Sequence, residues 1–192
     1  MDLILLQPGD PKIFDGTHDW KDGGSLIDPE LLGPGVNIGQ CLELVSVHQG
    51  LKLQTTSDVS NSQRTSGRPT VTDFTCVKHV DETSVRLYEH CLKAEPLGTG
   101  PDMPTRIYVL RSPADKVATL MTLTLRDALV TSIEFQSDAN DIPTERLTLS
   151  FTEVLWHFTR HDADAPKSDG SISSGWSIAR NRAIGELTPS ST

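Results

Sequence analysis

Residues 146–160, RLTLSFTEVLWHFTR, form the longest run of strand-favouring residues in the chain, and their apolar positions change phase partway along. Leu147, Leu149 and Phe151 alternate with Thr148, Ser150 and Thr152, whereas Val154, Trp156 and Phe158 alternate with Leu155, His157 and Thr159. A one-residue slip turns every side chain of a strand over, so this segment carries a bulge or passes from one packed surface to another. Such a strand suits a barrel or sandwich whose outer face is also covered.

Shorter alternating runs surround it. Residues 3–6 and 40–48 read as the first two strands, the second with Leu42 and Leu44 on one face and Val45 and Val47 on the other. Residues 70–80, 106–111, 118–126 and 128–136 follow, the last three joined by short links as an antiparallel meander, and residues 172–180 make a final strand. Residues 10–40 are punctuated by Gly and Pro too often for a helix or long strand. Residues 51–69, rich in Ser, Thr and Gln, read as a long exposed loop, a type that is usually functional or disordered beyond about 12–15 residues. A single helix is predicted at about residues 83–93. Leu87, Tyr88, Cys91 and Leu92 make its apolar stripe, Thr83 or Ser84 caps it, and Pro96 and Gly98 prevent its continuation.

The fold class is therefore mainly β, with one short helix among the strands. Residues 1–184 read as a single domain with a long loop at about 50–69, and residues 185–192 as a disordered tail without a partner signal.

Composition narrows the function classes. Lys and Arg number 17 against 26 Asp and Glu, for a formal charge of -9, which argues against sequence-independent nucleic-acid or anionic-membrane binding. The three cysteines, Cys41, Cys76 and Cys91, form no CxxC pair and read as reduced, packed side chains. Leu3 to Leu6 follow an acidic residue and lack the basic start of a signal peptide, and no run approaches the ~20 apolar residues of a membrane span. The chain is expected to be made in the cytoplasm and to leave, if it leaves, by another route.

Catalytic and metal-binding signatures are weak. His157 and His161 share a strand face but lack a third ligand at a fixed offset, so they do not read as a metal pair. The acidic turn from Asp162 to Gly170 departs from a calcium loop, with Lys167 where Gly is needed and Ser173 where Glu is needed. No Walker loop, GxSxG elbow, GxGxxG fingerprint or HExxH occurs. No catalytic residue, metal or cofactor is assigned, and a chain of strands with apolar residues on both faces reads best as an assembly subunit.

The residues also resemble a known family. From Thr144 to Arg182, an acidic-Leu-x-Leu-x-Phe-Thr strand leads through an aromatic strand end and an acidic turn to a Gly-aromatic-x-aliphatic-Ala-x-Asn close. Glu145, Leu147, Leu149, Phe151, Thr152, Gly175, Trp176, Ile178, Ala179 and Asn181 fill its places. This is similar to the C-terminal signature of the haemolysin-coregulated (Hcp) proteins, the tube subunits of bacterial type VI secretion systems. Gly67-Arg68-Pro69, then Lys78-His79-Val80-Asp81 and the helix from Ser84, are similar to a second family block, with Val80 in place of the usual Met. A weaker block is Cys41 to Val47. The segment 23–39 and the tail beyond Asn181 are longer than in the family.

The resemblance implies a compact antiparallel β-barrel of two sheets with one short flanking helix, assembling into hexameric rings that stack into a hollow tube, enclosed by a contractile sheath, tipped by a spike protein and secreted into a target cell, with room in the lumen for small effectors. Beside it, Leu147, Leu149 and Phe151 become barrel core, and Val154, Trp156 and Phe158 a second surface under the helix or against a neighbouring subunit. Leu51, Lys52, Leu53, Arg64 and Arg68 are expected to contribute contacts between subunits or rings, because aliphatic tips with basic ends suit an acidic partner surface. A ring-shaped chaperone or adaptor that never polymerises is the alternative, and an enzyme or a fused toxin is a third class, disfavoured because little sequence follows the last family strand.

Overall fold

The computed structural model describes residues 3–15, 40–53, 55–57, 64–111, 118–161 and 168–189. The predicted segment 23–39 lies outside them. The chain orders its elements as β1 (Leu3–Gln7), β2 (Leu42–Leu44), β3 (Ser46–His48), β4 (Leu51–Lys52), β5 (Thr55–Ser57), β6 (Arg64–Ser66), β7 (Thr70–Val71) and β8 (Phe74–His79). After α1 (Ser84–Lys93) come β9 (Thr105–Arg111), β10 (Ala118–Arg126), β11 (Leu129–Gln136), β12 (Thr144–Ser150), β13 (Glu153–His161), β14 (Ser168–Ser177) and β15 (Arg182–Ile184). A 3-10 turn at Pro11–Phe14 opens where loop alone was expected; its N-terminus is capped by Asp10, whose carboxylate accepts the Lys12 N–H at 3.0 Å.

Two antiparallel sheets carry the fold, and they are not closed into a continuous barrel. The larger has seven strands in the order β15-β14-β13-β10-β9-β1-β2, and the smaller has four, β11-β12-β8-β3. Between them lies the core: Leu6, Leu42, Leu44, Phe74, Cys76, Ile107, Leu123, Leu125, Val130, Leu147, Leu149, Phe151 and Val154 are all buried. Phe74 and Phe151 meet with ring centroids 5.3 Å apart, tilted as aromatic pairs prefer. On the opposite face of β1 and β9, Leu5, Tyr108 and Leu110 are buried as a second, smaller cluster.

The phase changes in the sequence mark corners where one sheet hands the chain to the other. Residues 146–160 are two strands: β12 ends at Ser150, Phe151 and Thr152 turn, and β13 continues in the facing sheet. A strand that crosses to the opposite sheet must turn over to keep its apolar side chains inward, and the extra residue does this. Val154 is consequently not part of a second surface; it lies in the same core as Leu147 and Leu149. The run 40–48 breaks in the same way at Val45, whose N–H donates to Val77 O at 2.7 Å while Leu42 and Leu44 on one side and Val47 on the other all face the core. The third corner, Asp127-Ala128, splits the predicted meander. β10 pairs with β9 and β13, and β11 pairs with β12.

Asp127 takes a left-handed backbone conformation, φ 50°, which Asp tolerates better than most residues. Its carboxylate ties two other segments to the corner, accepting the Gly100 N–H at 2.7 Å and the Thr152 hydroxyl at 3.1 Å. The Thr152 N–H in turn donates to Arg126 O at 3.0 Å, so two corners are stitched side by side.

The helix stands where the sequence puts it, with a different buried face. Ser84, Leu87 and His90 are buried and Cys91 packs on the core, whereas Leu92 is 88% exposed. Leu92 is five residues from Leu87, about 140° around the helix, so it cannot share that stripe. The cap also differs: the Thr83 side chain does not cap, and its N–H donates to Asp81 Oδ1 at 2.9 Å.

Candidate assembly interface

The region predicted as a loop at 50–69 is a stepped ribbon. β4 pairs with β7 and β5 pairs with β6, all antiparallel. Its base is stapled by Thr72, whose N–H and hydroxyl both donate to Gly50 O, at 2.9 and 3.0 Å. Beyond the staple, Leu51 is 62% and Leu53 53% exposed, and Lys52 is exposed with them. Arg68 donates to Ile178 O at 3.0 Å, holding the returning arm of the ribbon against the turn after β14. Of the residues expected here to make contacts, Leu51, Lys52 and Leu53 point outward, Arg68 is engaged within the chain, and the Arg64 side chain lies outside the described residues.

A second apolar surface forms where β13 and β14 run past the core. Along one face of β13, Val154 is fully buried, Trp156 is partly buried against the core, and Phe158 is 42% exposed. Ile172, the register partner of Phe158 on β14, is 68% exposed, and Met121 flanks Phe158 from β10. The core-facing side of the sheet thus continues outward as an apolar shelf. Trp156 sits at its inner margin, bridging core and shelf, and Phe158 and Ile172 carry the exposed part.

The signature residues do structural work at three places. Glu145 is fully buried with Lys78, and their charged atoms are 2.8 Å apart. Lys78 Nζ also donates to His79 O at 2.8 Å and Ser84 Oγ at 3.2 Å and lies 3.0 Å from Asp81 Oδ1, while the Ser84 hydroxyl donates to Glu145 at 2.8 Å. This network joins β8, β12 and the start of α1, which brings together the two sequence blocks that carry the resemblance. Tyr88, one helical turn on from Ser84, has its pKa pushed up to about 12 by burial and by the nearby Glu145 carboxylate. Ser84 and Lys78 stand together as a Ser–Lys pair does in some hydrolases, but both are buried and Lys78 is surrounded by oxygens.

At the second place, Gly175 faces Leu155 across the β13–β14 pair. A Cβ there would stand 2.3 Å from Leu155 Cδ2 and 2.9 Å from Val154 O, so the close strand approach requires glycine. At the third, Trp176 and Ile178 pack on the core, the Ile178 N–H donates to Thr152 O at 3.0 Å, and Asn181 (φ 48°) completes the turn into β15. Ala179 is exposed in that turn.

Two readings of the sequence are revised by the end of the chain. β14 already starts at Ser168, where an acidic turn was expected, and β15 was not anticipated. In the segment from 185, Thr188 bonds to Glu153 and Arg126. The calcium-like turn at 162–167 and the His161 side chain lie outside the described residues. Among the described residues, no three His, Cys, Asp or Glu side chains are grouped to hold a metal ion, and no helix is long and apolar enough to cross a membrane. Cys41, Cys76 and Cys91 form no disulfide.

Comparison with known proteins follows this geometry closely. The profile of the family described as "Type VI secretion system effector, Hcp" matches residues 40–158, more than half of the chain. The chain belongs to the Hcp family. Among solved structures, one described as a type six secretion system protein aligns over 96% of this chain and 100% of its own, with TM-score 0.72 and 16% identity. Hcp1 from Salmonella typhimurium aligns over 95% and 99%, with TM-score 0.64 and 17% identity, and a type VI secretion system effector from Yersinia pestis over 91% and 99%, with TM-score 0.59 and 14% identity. At these identities the likeness concerns the fold. No curated protein sequence matches the chain. The Hcp fold accounts for the mainly β architecture and the single helix of this chain, and the corners at Val45, Asp127 and Thr152 are the local devices that build it.

Proposed function

We propose that this Hcp-family chain is a structural subunit of a type VI secretion inner tube, forming homo-hexameric rings that stack. The observation that carries the reading is the apolar shelf of Phe158 and Ile172: on an Hcp fold, the core-facing side of the largest sheet runs outward to side chains that stay exposed among the described residues. A ring needs head-to-tail interfaces, in which one surface of a subunit meets a different surface of the next. The shelf and the outward Leu51–Leu53 ribbon supply two apolar surfaces at different places on the subunit. Burying a shelf residue of this size on association is worth about 1.5–3 kcal/mol, so a few such residues per contact are significant.

In this reading the contractile sheath and spike protein are the tube's outer partners, small effector proteins are its cargo, and the chain is secreted with the tube. Its role is architectural rather than catalytic. Negative-stain electron microscopy tests the reading: six-fold rings with an open centre are expected, and a uniformly monomeric particle at high concentration counts against it. Rings that resist every attempt at stacking, even with the spike and sheath components present, favour the non-polymerising adaptor.

A further inference from the structure

In the segment after β15, Thr188 is bonded to the start of β13 and the end of β10. Thr188 spends all of its polar groups on two side chains: its N–H donates to Glu153 Oε2 at 2.8 Å, its hydroxyl donates to Glu153 Oε1 at 2.6 Å, and its carbonyl accepts from Arg126 Nη1 at 2.5 Å. Arg126 and Glu153 face each other at 3.6 Å, and Asp127 Oδ2 lies 3.3 Å from Arg126 Nε without forming a hydrogen bond to it. Glu153 is buried at the start of β13, directly beside the stitched corners of Asp127 and Thr152. A chain end that merely packs needs no particular side chain. Here the two carboxylate oxygens of a buried Glu meet the backbone N–H and the side-chain hydroxyl of one residue, and an apolar side chain of the same size could not supply the second donor.

We propose that Arg126 and Glu153 form a latch for the C-terminal segment, with Thr188 as the residue it grips, and that protonation of Glu153 opens it. A neutral carboxyl loses its attraction for Arg126 and exchanges two charge-assisted acceptor bonds from Thr188 for weaker neutral ones, which loosens the grip. Burial pushes the Glu153 carboxyl up, but the Thr188 hydroxyl and amide, the Ser177 hydroxyl and the Arg126 charge outweigh it and leave it below its ordinary value of 4.5. The sign follows: the latch is fully closed above that value and opens as the pH falls through the lower folded value. The charged groups around Glu153 are Arg126 and, behind it, Asp127, and Glu186 is the acidic group of the gripped segment.

Amide hydrogen exchange on the full chain, read as protection relative to the intrinsic rate at each pH, tests this. Thr188 is expected to be protected at neutral pH, to lose roughly tenfold or more of that protection in Thr188→Val, and to keep it in Thr188→Ser. Because Thr188 lies outside the core, these variants leave the fold intact, which the protection of Leu123 and Leu147 checks. On acidification below 4.5, Thr188 is expected to open while Leu123 and Leu147 remain protected. Exchange of Thr188 at the free-peptide rate in the native chain, equal protection in Thr188→Val, or loss of tail and core protection together on acidification each overturns the latch.

Discussion

Lys78 and Glu145 form a fully buried ion pair, 2.8 Å between charged atoms, that links the strand before the helix to the strand at the centre of the smaller sheet. Two charges leave water only at a cost of several kcal/mol each, and their attraction roughly restores it when further hydrogen bonds satisfy the remaining donors and acceptors. Ser84, Asp81 and His79 O supply those bonds on the lysine side. The pair sets where α1 begins, because the Ser84 hydroxyl that donates to Glu145 also accepts the Asp81 N–H at 3.1 Å.

Removing one partner strands the other charge in the core. Glu145→Ala or Lys78→Ala is expected to lower unfolding free energy by about 3–5 kcal/mol. The double replacement Lys78→Met with Glu145→Leu recovers most of that loss. Denaturant unfolding of the parent and these three variants checks this, and a double replacement no more stable than the single ones contradicts the stranded-charge account.

Gly175→Ala places a methyl group within 2.3 Å of Leu155 Cδ2 and 2.9 Å of Val154 O. Leu155 can shift but the Val154 backbone cannot without opening the β13–β14 pair, so a destabilisation of about 1–3 kcal/mol is expected. The compensating pair Gly175→Ala with Leu155→Ala relieves the side-chain part only. Thermal unfolding that leaves Gly175→Ala equal to the parent contradicts the close approach.

Burial pushes the thiols of Cys41 and Cys76 up to about 12, well above their ordinary 9.0. Only the thiolate reacts, so at pH 8 both are expected to resist an aromatic disulfide reagent in the folded chain and to label rapidly once it is unfolded. Raising the pH toward 10 increases the thiolate fraction of each about tenfold per unit and accelerates labelling accordingly. Rapid native-state labelling of Cys76 at pH 8 is inconsistent with its place in the core.

Phe158→Asp and Ile172→Asp test the shelf, and Leu51→Asp with Leu53→Asp tests the ribbon. These side chains are exposed in the single chain, Phe158 least so at 42%, so each variant is expected to lose ring formation while its unfolding free energy changes by no more than about 1 kcal/mol. Trp156→Asp behaves differently. Its side chain is partly buried against the core, and a carboxylate there lowers stability before any question of assembly arises. Rings that survive both pairs of substitutions place the subunit contacts elsewhere.

Much of the architecture is legible in residue order because strands with one buried face must alternate. The strands at 106–111, 118–126 and 128–136 and the helix near 83–93 stand within a residue or two of where alternation and the Pro96–Gly98 stop put them. The phase changes are legible too, but their meaning is not: a slip at Thr152 or Val45 is the same in sequence whether the second apolar set faces a neighbour or the opposite side of one core. Only the sheet order settles that Val154 and Leu149 look at each other. The ribbon at 51–71 escapes notice because its Ser- and Thr-rich strands lack an apolar face, and a two-stranded hairpin needs none to pair.

The site is less legible than the fold. Lys78 and Glu145 are 67 residues apart, and nothing local marks them as partners. Leu51 and Leu53 are readable as apolar residues in a polar stretch, whereas the exposure of Phe158 depends on where the core ends, a property of the assembled sheets. Thr188 gives no sequence signal because its partners, Arg126 and Glu153, lie in ordinary strand ends.

Assembly of this Hcp-family chain through its outward apolar surfaces is open to one direct measurement, native mass spectrometry of the purified chain paired with two-dimensional class averages. A dominant particle with the mass of six chains and six-fold symmetry, lost in Phe158→Asp, is expected. A monomer across the accessible concentration range, with Phe158→Asp indistinguishable from the parent, contradicts it.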